Sequence, residues 1–232
     1  MSLLAGVAAF REMPQAVLDR LERGGTPLEL RDGARVFAQG DAADAVYAIV
    51  GGDGIVRIGA MDRRSKTLMV EVFRTGDIFG EVAVIDGGAR TAEAIAVGGV
   101  RLLRIRATTF IAVLGDAPEL GSNLCRMLAQ RLRRTFDLFQ HATFDSLEVR
   151  LARQLLYLAG RFARRTDRGL QLTGRYTQAD LADLLGTTPR SIITILNSWR
   201  AKNLVFYDAA RGQLTLIDEA ALQALMVAEA HE

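Results

Sequence analysis

Tyr176 to Val205 read YTQADLADLLGTTPRSIITILNSWRAKNLV, and the positions in this stretch have separable physical jobs. Thr177 can cap a helix beginning at Gln178, with Leu181, Leu184 and Leu185 as its buried face. Ala182 is small where a second helix must cross closely, and Gly186 admits the positive φ of a tight turn. Thr188 followed by Pro189 is an N-cap and a first-turn proline, and Ile192, Ile195, Leu196 and Trp199 bury the helix that follows. Pro189, Arg190, Ser191 and Thr194, with Asn197 beyond, remain on its outer face. Together with the cap residue Thr188 they are the candidate DNA contacts, because a recognition helix presents its outer N-terminal face to the major groove. Arg190 has the chemistry for bidentate contact with a guanine, worth about 1–3 kcal/mol of discrimination.

The flanking sequence supports this helix-turn-helix. LVFYDAARGQLTLI (Leu204–Ile217) predicts a β-hairpin turning at Ala210-Arg211-Gly212, in the place of a wing, followed by a helix over Asp218–Glu229. Residues 147–211 hold 11 Lys and Arg against 5 Asp and Glu, a net of +6 in a chain whose first 146 residues balance to zero. A basic block of this kind is the electrostatic footprint of a nucleic-acid-binding module. A helix is expected over Leu147 to about Arg164, after a break at Phe144-Asp145-Ser146 and before a loop at Thr166–Gly169.

Further upstream, Glu119 to about Thr143 contain no proline and, beyond Gly121, no glycine. Leu124, Leu128, Arg131, Thr135, Leu138 and Ala142 alternate steps of four and three, the repeat of a two-helix contact, which predicts a homodimer helix. Arg131 and Thr135 are polar on that seam. They either snorkel, fix the register, or bind something lodged between this helix and the preceding domain.

From Leu28 to Ile105 the pattern is different: short β-type runs punctuated by glycine turns. VYAIVGGDGIVRI (Val46–Ile58) turns at GGDG, TLMVEVF (Thr67–Phe73) precedes Thr75-Gly76-Asp77, and AEAIAV and VRLLRI flank Gly98-Gly99. Regular short strands argue an all-β sandwich or roll. The apolar run Met1–Phe10 lacks a cationic start and a membrane-length span, so a short helix packed on a domain and a cytoplasmic location are expected. Cys125 is the only cysteine, and His141 and His231 are the only histidines. That inventory excludes disulfide frameworks and thiolate metal sites, and it disfavours a His-based metal centre or a catalytic constellation. No metal and no enzyme activity are expected.

Within the roll, FGEVAVIDGGARTA (Phe79–Ala92) sets an acid and an arginine around a small glycine-hinged apolar loop. Glu81 opens a single helical turn whose free amides favour an anion. Arg90 offers a two-pronged grip on a phosphate, Thr91 adds a hydroxyl, and Glu81 can accept from a ribose hydroxyl. From the residue types alone, a surface Glu–Arg pair on a turn accounts for the stretch slightly better, because this spacing is not that of a glycine-lysine phosphate loop.

FGEVAVIDGGARTA resembles the phosphate-binding cassette of cyclic-nucleotide-binding domains. With the β run, the long helix and the winged helix-turn-helix, roughly Phe10 to Ile217 resemble bacterial transcription regulators of the cyclic AMP receptor protein/fumarate-nitrate regulator family. The resemblance implies an α+β chain in three parts. Residues 1–118 would form a jelly-roll-like β-roll that binds a cyclic nucleotide, 119–146 a dimerisation helix and hinge, and 147–232 the winged helix-turn-helix. It implies that Gly80 and Glu81 hold the ribose, that Arg90 and Thr91 hold the cyclic phosphate, and that Val70 and Val82 line the pocket. Arg131 and Thr135 fall where members responding to cyclic AMP place residues that reach the nucleotide. Phe136 stands where the cyclic AMP receptor protein has a second hydroxyl, and Thr91 resembles a residue that in some domains bonds a guanine amino group, so cyclic AMP and cyclic GMP are both candidate effectors. Pro189 and Thr194 replace base-reading arginines, so the best-known family operator is not expected. The implied partners are a second copy of the chain, a two-fold symmetric double-stranded DNA operator and RNA polymerase, with no membrane. The alternative is a regulator of the same build that answers a different small effector or binds DNA constitutively.

Overall fold

The computed structural model describes residues 2–61 and 67–228, with only the backbone described at 61, 67–70 and 228. Glu229, expected to close the last helix, and His231 lie outside the described residues, as does the side chain of Val70. The chain divides into two compact units, Met1–Ser65 with Val70–Arg134, and Lys66–Met69 with Thr135–Glu232.

In the first unit, α1 (Gln15–Arg23) precedes eight strands: β1 (Gly25–Leu30), β2 (Arg35–Phe37), β3 (Ala45–Gly52), β4 (Ile55–Met61), β5 (Thr67–Phe73), β6 (Ile78–Phe79), β7 (Glu93–Val97) and β8 (Val100–Arg106). The short α2 (Glu81–Asp86) sits between β6 and β7, and α3 (Ala107–Asp116) follows β8. Two four-stranded sheets result, ordered β1-β8-β3-β6 and β2-β7-β4-β5, with the first antiparallel throughout and β2, β7 and β4 antiparallel in the second. This is the expected roll.

Strand β3 shows why its sequence lacks polar alternation. Ala45, Tyr47 and Ile49 face an inner cluster with Val56, Phe73, Phe79, Ala94 and Leu102. Val46 and Ala48, on the opposite face, pack with Leu4, Val7 and Phe10, with Leu18 and Leu21 of α1, and with Phe110 and Val113 of α3. A strand covered on both faces has no solvent side on which to place a polar residue. The N-terminal apolar run serves that outer cover, but as turns ending in a single 3-10 turn at Ala8–Phe10 rather than the expected helix.

Helix α4 runs unbroken from Pro118 to Phe144. Its first half corrects the seam expected from periodicity. Leu124 is buried in the roll's own core, Leu128 is half-buried, and Arg131 turns to Glu81. A second exposed stripe lies one residue over, at Cys125, Ala129, Leu132, Phe136, Phe139 and Thr143, while Thr135, Leu138 and Ala142 of the expected seam are exposed as well. It keeps the same alternation of four and three.

In the second unit, Ser146 caps α5 (Leu147–Phe162), its Oγ accepting from Val149 N. Next come β9 (Ala163–Thr166) and β10 (Gly169–Leu172), a hairpin where the sequence suggests a helix end and a loop. Ala163 ends the helix in extended backbone, and Thr173 N closes back on Phe162 O at 2.7 Å. Helices α6 (Gln178–Leu185) and α7 (Pro189–Ala201) form the helix-turn-helix, followed by β11 (Val205–Asp208), β12 (Gln213–Leu216) and α8 (Glu219–Ala228). The four strands make one sheet, β11-β12-β10-β9.

Candidate functional site

The cassette is built around one left-handed residue. Gly80 has φ 77° at the N-terminus of α2, and a Cβ there would sit 2.8 Å from Arg90 Nη1. Glycine alone meets both the backbone sign and the space. Its carbonyl accepts from Arg90 Nη1 at 2.6 Å, while Arg90 Nη2 donates to Ala45 O at 2.7 Å. The guanidinium lies over the Phe37 ring at 4.3 Å, with Asp44 Oδ1 3.7 Å away. Desolvation by burial lowers the Arg90 pKa from the ordinary arginine value, and the charges of Tyr47 and Asp44 oppose it.

Glu81 is 1% exposed and Arg90 3%. Arg131 reaches from α4 to Glu81 Oε1 at 2.5 Å, donates to Ile78 O at 2.7 Å, and lies over the Phe73 ring at 4.5 Å. Each cassette residue keeps one buried polar atom without a hydrogen-bond partner among the described residues: Glu81 Oε2 and Arg90 Nε. Such atoms cost about 1–3 kcal/mol each, more when charged, until something bonds them. An acceptor-rich anion beside Arg90 and a hydroxyl beside Glu81 fit that requirement.

Gly80, Glu81, Arg90 and Arg131 are therefore brought together. Val82, expected to line the pocket, is 41% exposed on α2, and Thr91 is exposed at the end of the loop. Val70 lies on β5, and Thr135 is an exposed residue of the second unit. Phe37, Asp44, Phe73 and the carbonyls of Ala45 and Ile78 were not legible as site groups, because their approach depends on how the strands fold over one another. No group of three or more metal-binding side chains occurs among the described residues.

In the second unit, Thr177 and Asp180 form a reciprocal capping box, and Gly186 closes α6 at φ 62°. Thr188 Oγ1 accepts from Ser191 N at 3.3 Å and lies 3.0 Å from Ser191 Oγ. Pro189, Arg190, Thr194 and Asn197 are exposed, and Thr194 Oγ1 donates back to Arg190 O at 3.1 Å. Leu181, Leu184, Leu185, Ile192, Leu196 and Trp199 are buried, while Ile195 is half-buried. Trp199 is a core residue: it is fully buried, and its Nε1 donates to Glu148 Oε1 at 2.6 Å.

Residues 27–116 match the model of the cyclic nucleotide-binding domain, and residues 149–225 match that of the Crp-like helix-turn-helix domain. The CRP-like cAMP-activated global transcriptional regulator of Mycobacterium tuberculosis is 30% identical over 190 residues, covering 82% of this chain and 84% of that protein. The chain belongs to the CRP/FNR family of transcription regulators. The cyclic AMP receptor protein of Thermus thermophilus is 27% identical over 173 residues, covering 75% of this chain and 76% of that one. Among solved structures, the c-di-GMP-responsive global regulator CLP of Xanthomonas campestris shares the CRP/FNR fold with a TM-score of 0.77 at 21% identity, over 88% of this chain and all of that one. A CRP/FNR-family transcriptional regulator from Thermus thermophilus superposes with a TM-score of 0.73 at 23% identity, over 87% of this chain and 98% of that one. As a CRP/FNR regulator the chain is a cyclic-nucleotide-binding, DNA-binding protein by family, and no helix among the described residues is long and apolar enough to cross a membrane.

Proposed function

We propose that the chain is a homodimeric transcription regulator whose roll binds a 3′,5′-cyclic nucleotide and thereby raises its affinity for a two-fold symmetric DNA operator. It acts without catalysis or a metal, and its setting is the cytoplasm. The observation that carries this reading is the buried pair Glu81 and Arg90, each with one unsatisfied polar atom, arranged about the N-terminus of α2. When bound, the nucleotide supplies an anion for Arg90 and Thr91 and a ribose hydroxyl for Gly80 and Glu81. Val70, Val82, Arg131 and Thr135 are the further ligand contacts in this reading. Thr188, Pro189, Arg190, Ser191, Thr194 and Asn197 meet the DNA, and RNA polymerase is the downstream partner.

The exposed stripe of α4 supports the dimer. Leu132, Phe136 and Phe139 stand 56%, 64% and 72% exposed at coiled-coil spacing, a face that a second copy of the helix would cover.

Calorimetry of cyclic AMP and cyclic GMP against the full chain and its Arg90→Leu variant tests the site. The parent chain should bind at least one of them and Arg90→Leu neither, with the circular dichroism of the variant unchanged. Undiminished binding by the variant refutes the cassette assignment.

A further inference from the structure

One ion pair beside the cassette is outside the contacts assigned above. Glu71 Oε2 of β5 lies 3.1 Å from Arg134 Nε of α4, and the two side chains are only 12% and 18% exposed. Glu71 Oε1 also accepts from Val72 N at 3.1 Å, which holds the carboxylate in place. The pair continues a row. Glu71 and Phe73 are two apart on a strand and share a face, while Arg131 and Arg134 are three apart on a helix and share another. Arg131 covers Phe73 and pairs with Glu81; Arg134, one turn on, pairs with Glu71. The polar groups therefore run in the order Arg90, Gly80–Glu81, Arg131, and then Arg134–Glu71.

A 3′,5′-cyclic nucleotide has a matching order. Its phosphate is cyclised onto the sugar, the 2′-hydroxyl lies at the middle of the molecule, and the base projects from C1′ at the far end. With phosphate at Arg90 and ribose at Glu81, the base edge arrives beyond Arg131. We infer that Glu71 and Arg134 read the base of the bound nucleotide and select guanine over adenine, so that the effector is a cyclic guanine nucleotide.

The selection follows from donors and acceptors. Guanine presents N1–H and the N2 amino group side by side, with the acceptor O6 next to them. A carboxylate accepts from both nitrogens at once, and a guanidinium donates to O6. Adenine offers one amino donor beside a bare N1, so the second carboxylate oxygen would face a lone pair. Guanine exchanges its hydrogen bonds with the ion pair at both partners, so part of that pair's own attraction is given up and takes away some of the discrimination. A bidentate contact of this kind discriminates by about 1–3 kcal/mol, or about fivefold to 150-fold. The inference rests on the proposed cyclic-nucleotide site and names the base that site prefers.

The test is calorimetry of the full chain with cyclic GMP, cyclic AMP and cyclic IMP, repeated with Glu71→Gln and with Arg90→Leu. Cyclic IMP keeps N1–H and O6 but lacks the 2-amino group, so it probes the contact without any mutation. The expected result is cyclic GMP at least about tenfold tighter than cyclic AMP, with cyclic IMP between them. Glu71→Gln, which turns an amide donor toward the donors of guanine, should bring the ratio below about threefold through loss of cyclic GMP affinity. Three outcomes would overturn the inference. If the parent chain binds cyclic AMP as tightly as cyclic GMP, base reading by this pair is refuted while the cassette stands. An equal loss of all three ligands in Glu71→Gln would mark the pair as a strut holding the roll. If no nucleotide binds, or Arg90→Leu binds as the parent does, the failure lies in the cassette and takes the inference with it.

Discussion

Glu81 is nearly inaccessible to solvent, and Arg131 is the charged group bonded to it among the described residues. A carboxylate in that position is tolerated only while its counter-charge is present. Replacing Arg131 by Ala leaves the acid buried and unpaired and removes the cover of Phe73. Urea denaturation should show a loss of about 3 kcal/mol for Arg131→Ala. Adding Glu81→Gln to the same chain should recover part of it. A variant as stable as the parent would mean that solvent already reaches Glu81. At this scale the sequence shows the acid and the arginine of the cassette, because both lie in one short glycine-hinged run. It could not show Arg134 meeting Glu71, since the partners are 63 positions apart and on elements of different period.

Elements were legible where one signal dominated. Thr177, and Thr188 with Pro189, are local chemistry that works wherever the helices lie, and both caps form as expected, the first with Asp180 completing a capping box beyond the single cap expected from the sequence. The short hairpin β9–β10 was not legible, because Ala163–Thr166 carries two arginines and no alternation, and its strand character comes from pairing with β10. The seam of α4 shows a subtler failure. A heptad pattern reports that an apolar stripe exists but cannot tell which neighbour covers it, and Leu124 belongs to the roll's own core. The stripe through Leu132, Phe136 and Phe139 stays exposed and is the face proposed above for a second copy. Leu132→Glu with Phe139→Glu should convert a dimer into a monomer in sedimentation equilibrium while leaving nucleotide binding to the roll within about threefold, since like charges would then face each other along the seam. A dimer that survives both changes would place the contact on another face.

For the whole molecule, two binding functions occupy two units joined through one continuous helix, with the break at Asp145–Ser146 held by local bonds. Asp145 Oδ2 takes Arg153 Nε at 2.7 Å and lies 3.0 Å from His141 Nδ1, so both helices that flank the break hold the same carboxylate. If nucleotide strengthens DNA binding, DNA must strengthen nucleotide binding by the same factor, because the coupling is a property of the cycle rather than of either site. Nucleotide titrations with and without a DNA fragment selected from a random-sequence pool should differ by the factor measured in the reverse experiment. Equal nucleotide affinities in the two titrations would contradict an allosteric effector.

The close approach of Gly80 to Arg90 also has an evolutionary consequence. Position 80 answers to two constraints at once: a left-handed backbone, which asparagine also satisfies, and a space that Arg90 fills. In a lineage that abandons phosphate binding and loses the arginine, the second constraint eases to the Phe37 ring, 3.3 Å from where a Cβ would sit, while the first remains. Drift at position 80 from glycine toward asparagine should therefore follow loss of the arginine and not precede it, which makes this glycine a marker of when a descendant gave up its ligand.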